Sequence, residues 1–288
     1  MYTFALIGAA GYIAPKHLKA IQETGNELVA ACDLNDSVGV LDQYFPNARF
    51  FTVETDFWTL VQKNGVDYVV VCSPNDLHMH HVCAAMNHGA HVICEKPLAL
   101  TTAELDEIEQ TSQRTNRSVF TILQLRYHPT VLAIKDRVEQ APADHQFDLE
   151  LQYITPRGPW YHVSWKGDVQ RSGGIITNIG IHLFDMLLWV FGAPTERILT
   201  QNSPERATGT LVFQRAQVQW NLSIDRADLT PFDTDKPVRF LKMDDQRRDF
   251  SDGFGDLHTD SYRHILNGNG WTVDTVRPSV ALVEQLRK

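Results

Sequence analysis

Hydrophobic residues follow two different patterns along the chain, and the change falls near residue 124. In the first part, short apolar runs alternate with amphipathic segments that start at capping residues or after glycine. This alternation predicts a doubly wound parallel sheet, because parallel strands need a helix-sized crossover. After residue 124, polar and apolar positions alternate, as in antiparallel strands with one exposed face. The sequence therefore predicts an α/β protein, with residues 1–124 as a parallel-sheet domain and residues 125–288 as an α+β domain with a largely antiparallel open sheet.

The first strand ends in a turn of small residues. Strand Tyr2–Gly8 runs into Gly8-Ala9-Ala10-Gly11-Tyr12-Ile13-Ala14, and an amphipathic helix follows from Pro15. Small residues let the backbone approach a pyrophosphate, and the helix N-terminus supplies amide donors. The spacing G-x-x-G-x-x-A is not the commoner G-x-G-x-x-G, so an ordinary tight turn is the alternative. We interpret the turn as the start of a Rossmann dinucleotide-binding domain.

The second strand adds a cofactor signal. Leu28 to Cys32 reads as a strand, and Asp33 follows it at about the spacing expected after a glycine turn. A carboxylate there accepts hydrogen bonds from the ribose hydroxyls and repels a 2′-phosphate. The alternative is a turn or cap residue. The position favours NAD over NADP.

Chemistry-bearing residues follow two further apolar strands. Val66–Cys72 is followed by Ser73-Pro74-Asn75 and then by His78; these are good helix-capping residues that also fall beside the nicotinamide end of a dinucleotide. The run from Val92 stops abruptly at Glu95-Lys96-Pro97. Ligands of open α/β sheets bind at the carboxyl ends of strands. Lys96 is therefore a candidate catalytic residue, against the alternative of a solvated loop lysine.

The second part contains a segment too apolar for the protein surface. Ser172 to Phe191 is apolar around nearly its whole circumference, which predicts a buried helix. Asn178 and His182 would stand one turn apart on it. A buried histidine is often a satisfied core residue, but histidine is also the natural general base near neutral pH. We take Asn178 and His182 as candidate catalytic residues.

Composition narrows the class of partner. The chain has 288 residues and a formal net charge of −9, without a basic tract, which argues against nucleic acid. No apolar run reaches membrane-spanning length, and the N-terminus enters a strand without a leader, so a cytoplasmic location is expected. The four cysteines lack metal-type spacing, and His78, His80 and His81 have no evident Cys or carboxylate partner in the sequence. No metal is expected.

Together, these motifs resemble the glucose-fructose oxidoreductase and inositol dehydrogenase family (Gfo/Idh/MocA). Glu95-Lys96-Pro97 is the most specific of them, and the resemblance covers the whole chain. It implies an NAD-dependent oxidoreductase in which Lys96 and His182 serve catalysis, and a cis peptide bond before Pro97. Many members have aspartate where this chain has Asn178, so a positioning role is expected for Asn178 rather than a proton relay.

Further motifs look like one branch of that family, the UDP-N-acetylglucosaminuronate 3-dehydrogenases of bacterial lipopolysaccharide and O-antigen synthesis. They are Gly8 to Pro15, Gln124 to Pro129, Trp160 to Gly167, and Asp256 to Tyr262. The branch implies oxidation of the C3′ hydroxyl of UDP-2-acetamido-2-deoxy-D-glucuronate, a homotetramer, and in some members recycling of NADH by 2-oxoglutarate. The candidate cofactor-binding residues are Gly8, Gly11, Tyr12, Ile13, Asp33, Ser73, Pro74, Asn75, His78, Glu95, Lys96, Gln124 and Trp165.

A UDP-uronate needs cationic partners for its diphosphate and carboxylate. Arg126, Arg157 and Lys166 lie in candidate loops, although each is also typical of a surface charge. Trp160 and Tyr161 are candidates to face the sugar, with core packing as the alternative. The candidate substrate-binding residues are Lys96, Arg126, Arg157, Trp160, Tyr161, Lys166, Asn178 and His182. Two other functions stay open: a family dehydrogenase of a free sugar or inositol, and a catalytically silent NAD-binding sensor or scaffold.

Overall fold

The computed structural model describes residues 1–288 and divides into two compact units. The first unit comprises Met1–Gln124 and Gly255–Arg277, and the second comprises Leu125–Phe254 and Pro278–Lys288. Residues 255–277 therefore belong to the first unit, whereas the sequence pattern assigns them to the second domain.

The N-terminal part of the first unit alternates strand and helix throughout. Its elements are β1 (Thr3–Ile7), α1 (Ala14–Glu23), β2 (Glu27–Cys32), α2 (Leu41–Tyr44), β3 (Arg49–Phe51), α3 (Glu54–Asn64), β4 (Tyr68–Val71), α4 (His78–Asn87), β5 (His91–Cys94), α5 (Thr102–Thr115) and β6 (Val119–Thr121). The six strands pair in parallel in the order β3-β2-β1-β4-β5-β6. This order reverses at β1, and the ends of β1 and β4 on either side of the reversal are where a doubly wound sheet binds a dinucleotide. The expected doubly wound sheet is confirmed.

The second unit combines short helices with a sheet. Its elements are α6 (Pro129–Gln140), β7 (Phe147–Ile154), α7 (Trp160–Val163), α8 (Val169–Ser172), α9 (Gly174–Asn178), α10 (Ile181–Phe191), β8 (Glu196–Asn202), β9 (Arg206–Val212), β10 (Ala216–Ser223), β11 (Val238–Met243) and β12 (Gln246–Asp249). Two helices complete the chain, α11 (Leu257–Leu266) and α12 (Val273–Arg287), and the division between the units falls within α12.

The second sheet is largely antiparallel, as expected. Its order is β12-β11-β7-β10-β9-β8, and only β7 and β10 pair in parallel. Along β10, buried and more exposed residues alternate from Ala216 to Trp220. One face of the sheet is therefore covered by the unit's own helices, and polar side chains occupy the other.

Helix α11 joins the first unit because its apolar face completes that unit's core. Tyr262 is fully buried, and its ring stacks on Phe4 of β1 with centroids 5.9 Å apart. Ile265 belongs to the same core cluster as Phe4 and Leu18. The sequence pattern cannot reveal this return, because no local periodicity records which core an amphipathic helix covers.

The predicted single helix from 172 to 191 is instead three helices, α8, α9 and α10. Gly173 and Gly174 have φ of +77° and +71°, which ends α8 before α9 begins. A second break at Ile179 and Gly180 bends the chain by 44°. A Cβ on Gly180 would collide with the carbonyl oxygen of Ile176 and lie 2.7 Å from Leu222 Cδ1, so the backbone there packs directly on β10.

No single helix is long and apolar enough to cross a membrane; the bent pair Val169–Asn178 and Ile181–Phe191 satisfies the length and composition criteria only when counted together.

Candidate functional site

The turn after β1 packs its backbone against the end of β4. Gly8 has φ of +89°, and a Cβ on it would lie 2.5 Å from the carbonyl carbon of Cys72. The Gly11 amide then donates to the Gly8 carbonyl over 3.1 Å, and α1 follows. Tyr12 is 94% exposed and Ile13 is half-buried at this helix start. A glycine turn that only glycine fits, followed by a helix N-terminus, is the arrangement that holds a dinucleotide pyrophosphate.

Asp33 follows β2 and is tied to that turn. Its Oδ2 accepts a hydrogen bond from the Ala10 amide at 2.9 Å, and its Oδ1 accepts one from the Asn35 amide at 2.8 Å. Asp33 is only partly buried. The structure therefore places the predicted ribose-binding carboxylate beside the predicted pyrophosphate turn.

The segment after β4 is held by histidines. Ser73 and Asn75 are buried, and Pro74 is half-buried. His78 Nε2 lies 2.8 Å from the Ser73 carbonyl oxygen, and His81 Nδ1 lies 2.8 Å from Ser73 Oγ. These residues follow β4, whose neighbour β1 carries the glycine turn.

Lys96 follows β5, the next strand in the sheet. Its side chain is half-buried, and the Lys96–Pro97 peptide bond is cis, as the resemblance implies. The preceding Glu95 is 6% exposed and accepts a hydrogen bond from the Lys96 amide on Oε2 at 3.2 Å. Apart from Gln124, the predicted cofactor and catalytic residues of the first unit thus follow the carboxyl ends of β1, β2, β4 and β5.

Asn178 ends α9 in the second unit and contacts a tyrosine. Its Nδ2 donates to Tyr161 Oη over 3.0 Å, and both side chains are buried. Burial raises the pKa of Tyr161, and the hydrogen bond from Asn178 partly offsets this increase. His182 lies in the first turn of α10 and is half-buried. Because of the break at Gly180, Asn178 and His182 lie on two different helices.

Arg126 has a protein partner that the sequence did not reveal. Its Nε and Nη2 donate to Asp185 Oδ2 and Oδ1 over 2.9 and 2.7 Å, and both side chains are buried. Ser279 Oγ donates to Asp185 Oδ1 over 2.6 Å. A bidentate guanidinium–carboxylate pair of this kind is a structural element in its own right. The geometry therefore supports a structural role for Arg126.

The other predicted substrate residues of the second unit lie around α7. Arg157 and Trp160 are exposed, and Lys166 Nζ lies 4.2 Å from the centre of the Trp165 ring. A cavity of about 220 Å³ adjoins this segment. Its lining includes Tyr161, His162, Lys166, Ile175, Ser203 and Arg287. Gln124, predicted to contact the cofactor, is half-buried at the end of the first unit's N-terminal segment.

Four further candidate residues, His17, His258, Tyr262 and Arg287, were not predicted from the sequence. His17 and His258 both lie 3.0 Å from Glu95 Oε1, and Tyr262 Oη lies 2.8 Å from His17 Nδ1. His258 and Tyr262 belong to a segment noted for family resemblance, but nothing in it points to Glu95. Arg287, at the cavity, gives no sequence signal beyond a basic residue in the last helical turn.

The histidines of α4 also gain an acidic neighbour. Glu54 Oε1 lies 3.3 Å from His81 Nε2, and ligand atoms of Glu54, His80 and His81 all fall within 4.8 Å of one another. The sequence offered no carboxylate for these histidines. Burial lowers the pKa of His81, and Glu54 opposes that decrease. The absence of a metal remains a prediction.

Comparison with known protein families decides the class. Residues 2–122 match the family model described as "Oxidoreductase family, NAD-binding Rossmann fold", and residues 145–224 match its "C-terminal alpha/beta domain". The chain belongs to the Gfo/Idh/MocA oxidoreductase family. The expected family, α/β fold and NAD cofactor are thereby confirmed.

Solved structures include a highly similar relative. The WlbA (WbpB) dehydrogenase from Thermus thermophilus, solved with NAD and UDP-GlcNAcA, is 41% identical to this chain, with a TM-score of 0.94. The match covers 100% of this chain and 95% of that chain. The same enzyme has been solved with NAD and alpha-ketoglutarate. This protein is thus similar over its whole length to a dehydrogenase that binds a UDP-sugar.

Curated relatives are less similar and act on other compounds. D-glucoside 3-dehydrogenase of Escherichia coli is 29% identical over 69% of this chain and 56% of its own length. Myo-inositol 2-dehydrogenase of Thermotoga maritima is 28% identical over 50% of this chain and 42% of its own length. The chain spans about half the length of these relatives.

Proposed function

We propose that this protein is an NAD-dependent dehydrogenase that oxidises the C3′ hydroxyl of UDP-2-acetamido-2-deoxy-D-glucuronate to the 3-keto sugar. The observation that carries the proposal is the 41% identity, over the full chain, to the Thermus thermophilus dehydrogenase solved with NAD and UDP-GlcNAcA. Family membership and the glycine turn around Gly8 support the dinucleotide half of the reaction.

Oxidation of a secondary alcohol needs a base for the hydroxyl proton and a donor for the developing alkoxide. We assign the base to His182, which is half-buried in the first turn of α10, because histidine is the side chain best suited to act as a general base near neutral pH. The Lys96 ammonium stabilises the alkoxide by a hydrogen bond. The glycine turn around Gly8 and the Asp33 carboxylate would hold NAD, which would supply the hydride acceptor when bound.

Asn178 takes a positioning role in this proposal. A carboxamide is not a base, and its Nδ2 is already within hydrogen-bond distance of Tyr161 Oη at 3.0 Å. The pair is buried, so it holds the end of α9 in one arrangement. Lys166 and Arg157 remain candidate partners for the anionic groups of the substrate.

Four further expectations belong to this proposal. The alpha-ketoglutarate complex of the Thermus thermophilus enzyme supports 2-oxoglutarate as the compound that reoxidises NADH. A homotetramer, a cytoplasmic location and a role in lipopolysaccharide or O-antigen synthesis rest on the resemblance of the sequence motifs.

A second candidate function is favoured by the curated relatives. D-glucoside 3-dehydrogenase and myo-inositol 2-dehydrogenase act on compounds without a nucleotide. A dehydrogenase of a free sugar or inositol would keep the same Lys96 and His182 chemistry. Its substrate pocket would have no need to bind a diphosphate.

A single-turnover experiment separates the two candidates. NAD-loaded protein is mixed with the UDP-sugar, with myo-inositol or with a free glucoside, and NADH absorbance is followed. We expect one equivalent of NADH with the UDP-sugar alone, free UDP as a competitive inhibitor, and loss of the signal when 2-oxoglutarate is added. NADH formation only with a free sugar or polyol, insensitive to UDP, would establish the second candidate.

The third reading, a silent NAD-binding protein, is tested with Lys96→Ala and His182→Ala. Loss of an acid–base group costs about 10²- to 10⁴-fold in rate. We expect that loss with NAD affinity unchanged, and wild-type rates for the control Lys63→Ala, at an exposed lysine of α3. Wild-type rates in both test variants would show that Lys96 and His182 do not have the catalytic roles proposed here.

A further inference from the structure

Lys96 directly follows a buried polar group that none of the proposed steps uses. Glu95 is 6% exposed, and its neighbours His17 and His258 are 0% and 4% exposed. Three elements far apart in sequence supply these side chains: α1, the end of β5 and α11. All of them belong to the first unit.

The hydrogen bonds identify Glu95 as the centre of this group. Its Oε1 lies 3.0 Å from both His17 Nε2 and His258 Nε2. Tyr262 Oη lies 2.8 Å from His17 Nδ1. One assignment satisfies these three contacts: the Tyr262 hydroxyl donates to His17 Nδ1, and both histidines donate their Nε2 protons to the carboxylate.

Electrostatics agree with a carboxylate at this position. Burial alone would raise the pKa of Glu95, but the hydrogen bonds from His17 and His258 outweigh it and hold that pKa well below its usual range. Burial also lowers the pKa of His17, against the opposing influence of Glu95. A neutral His17 has one N–H, which fits the assignment above.

The other carboxylate oxygen reaches Lys96. Glu95 Oε2 accepts the Lys96 amide at 3.2 Å, and the Glu95 amide donates to the Val71 carbonyl of β4 at 3.0 Å. The peptide on the far side of Lys96 is held as well, since His78 Nδ1 lies 2.6 Å from the Pro97 carbonyl oxygen. His78 is 1% exposed, and its second nitrogen lies 2.8 Å from the Ser73 carbonyl oxygen; because burial lowers the pKa of His78, the neutral ring has one N–H and donates to one of the two carbonyls at a time. Buried side chains thus hold the backbone on both sides of Lys96.

We propose that Glu95 and His78 are positioning residues for Lys96, and that His17 and His258 keep Glu95 in place. Glu95 and His78 would affect the reaction through the backbone at Lys96. The sequence motifs predict that both residues bind the cofactor; in this proposal neither needs to contact it. The inference rests on the proposed role of Lys96. The proposal also explains the role of residues 255–277 in the first unit, because this segment brings His258 and Tyr262 to Glu95.

The same three side chains have the donor types of a metal site. Ligand atoms of His17, Glu95 and His258 all lie within 4.8 Å of one another. Each atom already takes part in a hydrogen bond within the group, and His17 is oriented by Tyr262. We therefore interpret the group as a hydrogen-bonded hub. One equivalent of tightly bound metal in purified protein, by elemental analysis, would overturn this interpretation.

A double-mutant cycle tests the positioning role. Glu95→Gln keeps the shape of the side chain and removes its charge. We expect kcat to fall about tenfold to a hundredfold, the cost of a small misplacement of a reacting group, with the Kd for NAD within about twofold of wild type. In a Lys96→Ala background the same substitution should have almost no further effect, because the residue it positions is gone.

His78→Asn should behave in the same way. The controls are Glu107→Gln and His80→Asn, at exposed positions on α5 and α4, and both should keep the wild-type kcat. If Glu95→Gln lowers kcat by the same factor with and without Lys96, the positioning role is wrong while the proposed function stands. If Lys96→Ala alone leaves kcat unchanged, the proposed chemistry fails instead.

Hydrogen exchange supplies a measurement that needs no substrate. The Lys96 amide is the donor to Glu95, so peptides that contain Lys96 should exchange faster in Glu95→Gln than in wild type. Glu107→Gln should leave that exchange unchanged. Wild-type exchange in a folded Glu95→Gln protein would show that Glu95 does not order the turn, and would overturn the inference.

Discussion

Arg126 shows how burial changes the interpretation of a charged residue. In the sequence it is one of three cations suited to a substrate anion, and in the structure its guanidinium is paired with Asp185 inside the second unit. Asp185 itself lies on α10, one turn after His182. The pair therefore serves the helix that carries the proposed base.

We expect Arg126→Ala to lower the free energy of unfolding by about 3–5 kcal/mol, because it leaves the Asp185 carboxylate buried without its cationic partner. Arg226→Ala is the matched control, since the Arg226–Asp235 pair is exposed on both sides. Its effect should stay within about 0.5 kcal/mol. Denaturant unfolding measures both. If Arg126→Ala were as stable as wild type and had lost only substrate affinity, the structural role would be wrong and Arg126 would be a substrate-binding residue.

The β1–α1 turn depends on glycine in a way that its unusual spacing does not reveal. Gly8 combines a positive φ with a backbone neighbour that would lie 2.5 Å from a Cβ, so both conformation and space exclude a side chain. Gly25, between α1 and β2, has φ of +72°, and a Cβ added there would meet nothing within 4 Å. Comparing an alanine substitution at Gly8 with one at Gly25 therefore separates the effect of steric collision from that of backbone strain.

Gly25→Ala should lower the free energy of unfolding by about 1–2 kcal/mol, because alanine must adopt a left-handed backbone conformation there. It should leave NAD binding intact. Gly8→Ala should cost more and should abolish measurable NAD binding, because the turn must move away from Cys72. Unfolding curves and NAD titration check both variants. Equal NAD affinity in the two variants would contradict the assignment of this turn to the cofactor.

Local pattern predicted the individual elements well where periodicity is strong. The strands that precede Asp33 and Lys96 were expected from apolar runs, and both are present. The break at Gly180 was missed, because apolar residues continue through it; in the structure Gly180 packs closely against Leu222 of β10. Close packing between distant segments leaves no periodic signal in either one.

The fold class, the parallel sheet and the largely antiparallel second sheet could be predicted from the sequence, since each follows from alternation along the chain. The return of residues 255–277 to the first unit could not, and with it the contacts of His258 and Tyr262 were missed. The partner of Arg126 was missed for the same reason. In each case, the sequence pattern does not show which distant segments contact each other.

Several buried histidines make stability depend on pH. Burial lowers the pKa of His17, His78, His81 and His91 from the ordinary value of 6.5. The unfolded chain therefore binds more protons than the folded one as pH falls below about 6.5. Their contribution to stability is present above that pH and is lost below it. The lowered pKa of Glu95 acts in the same direction, but only below the ordinary glutamate value of 4.5.

We expect the melting temperature to fall as the pH is lowered from 7 to 5. His17→Gln should show a shallower pH dependence over this range, because one of the groups responsible has been removed. His80→Asn, at an exposed position of α4, should keep the wild-type slope. Calorimetry or fluorescence at constant ionic strength measures the three curves. A melting temperature that rises towards pH 5 would contradict the assignment of neutral buried histidines.

The central claim is hydride transfer from C3′ of a UDP-linked uronate to NAD. The most direct measurement uses UDP-2-acetamido-2-deoxy-D-glucuronate deuterated at C3′ in a single turnover, with mass spectrometry of the NADH formed. We predict that the deuterium appears in the reduced nicotinamide and that the product sugar is lighter by the deuterium and the hydroxyl proton. NADH without deuterium, or no NADH from this sugar in protein shown to hold NAD, would contradict the account.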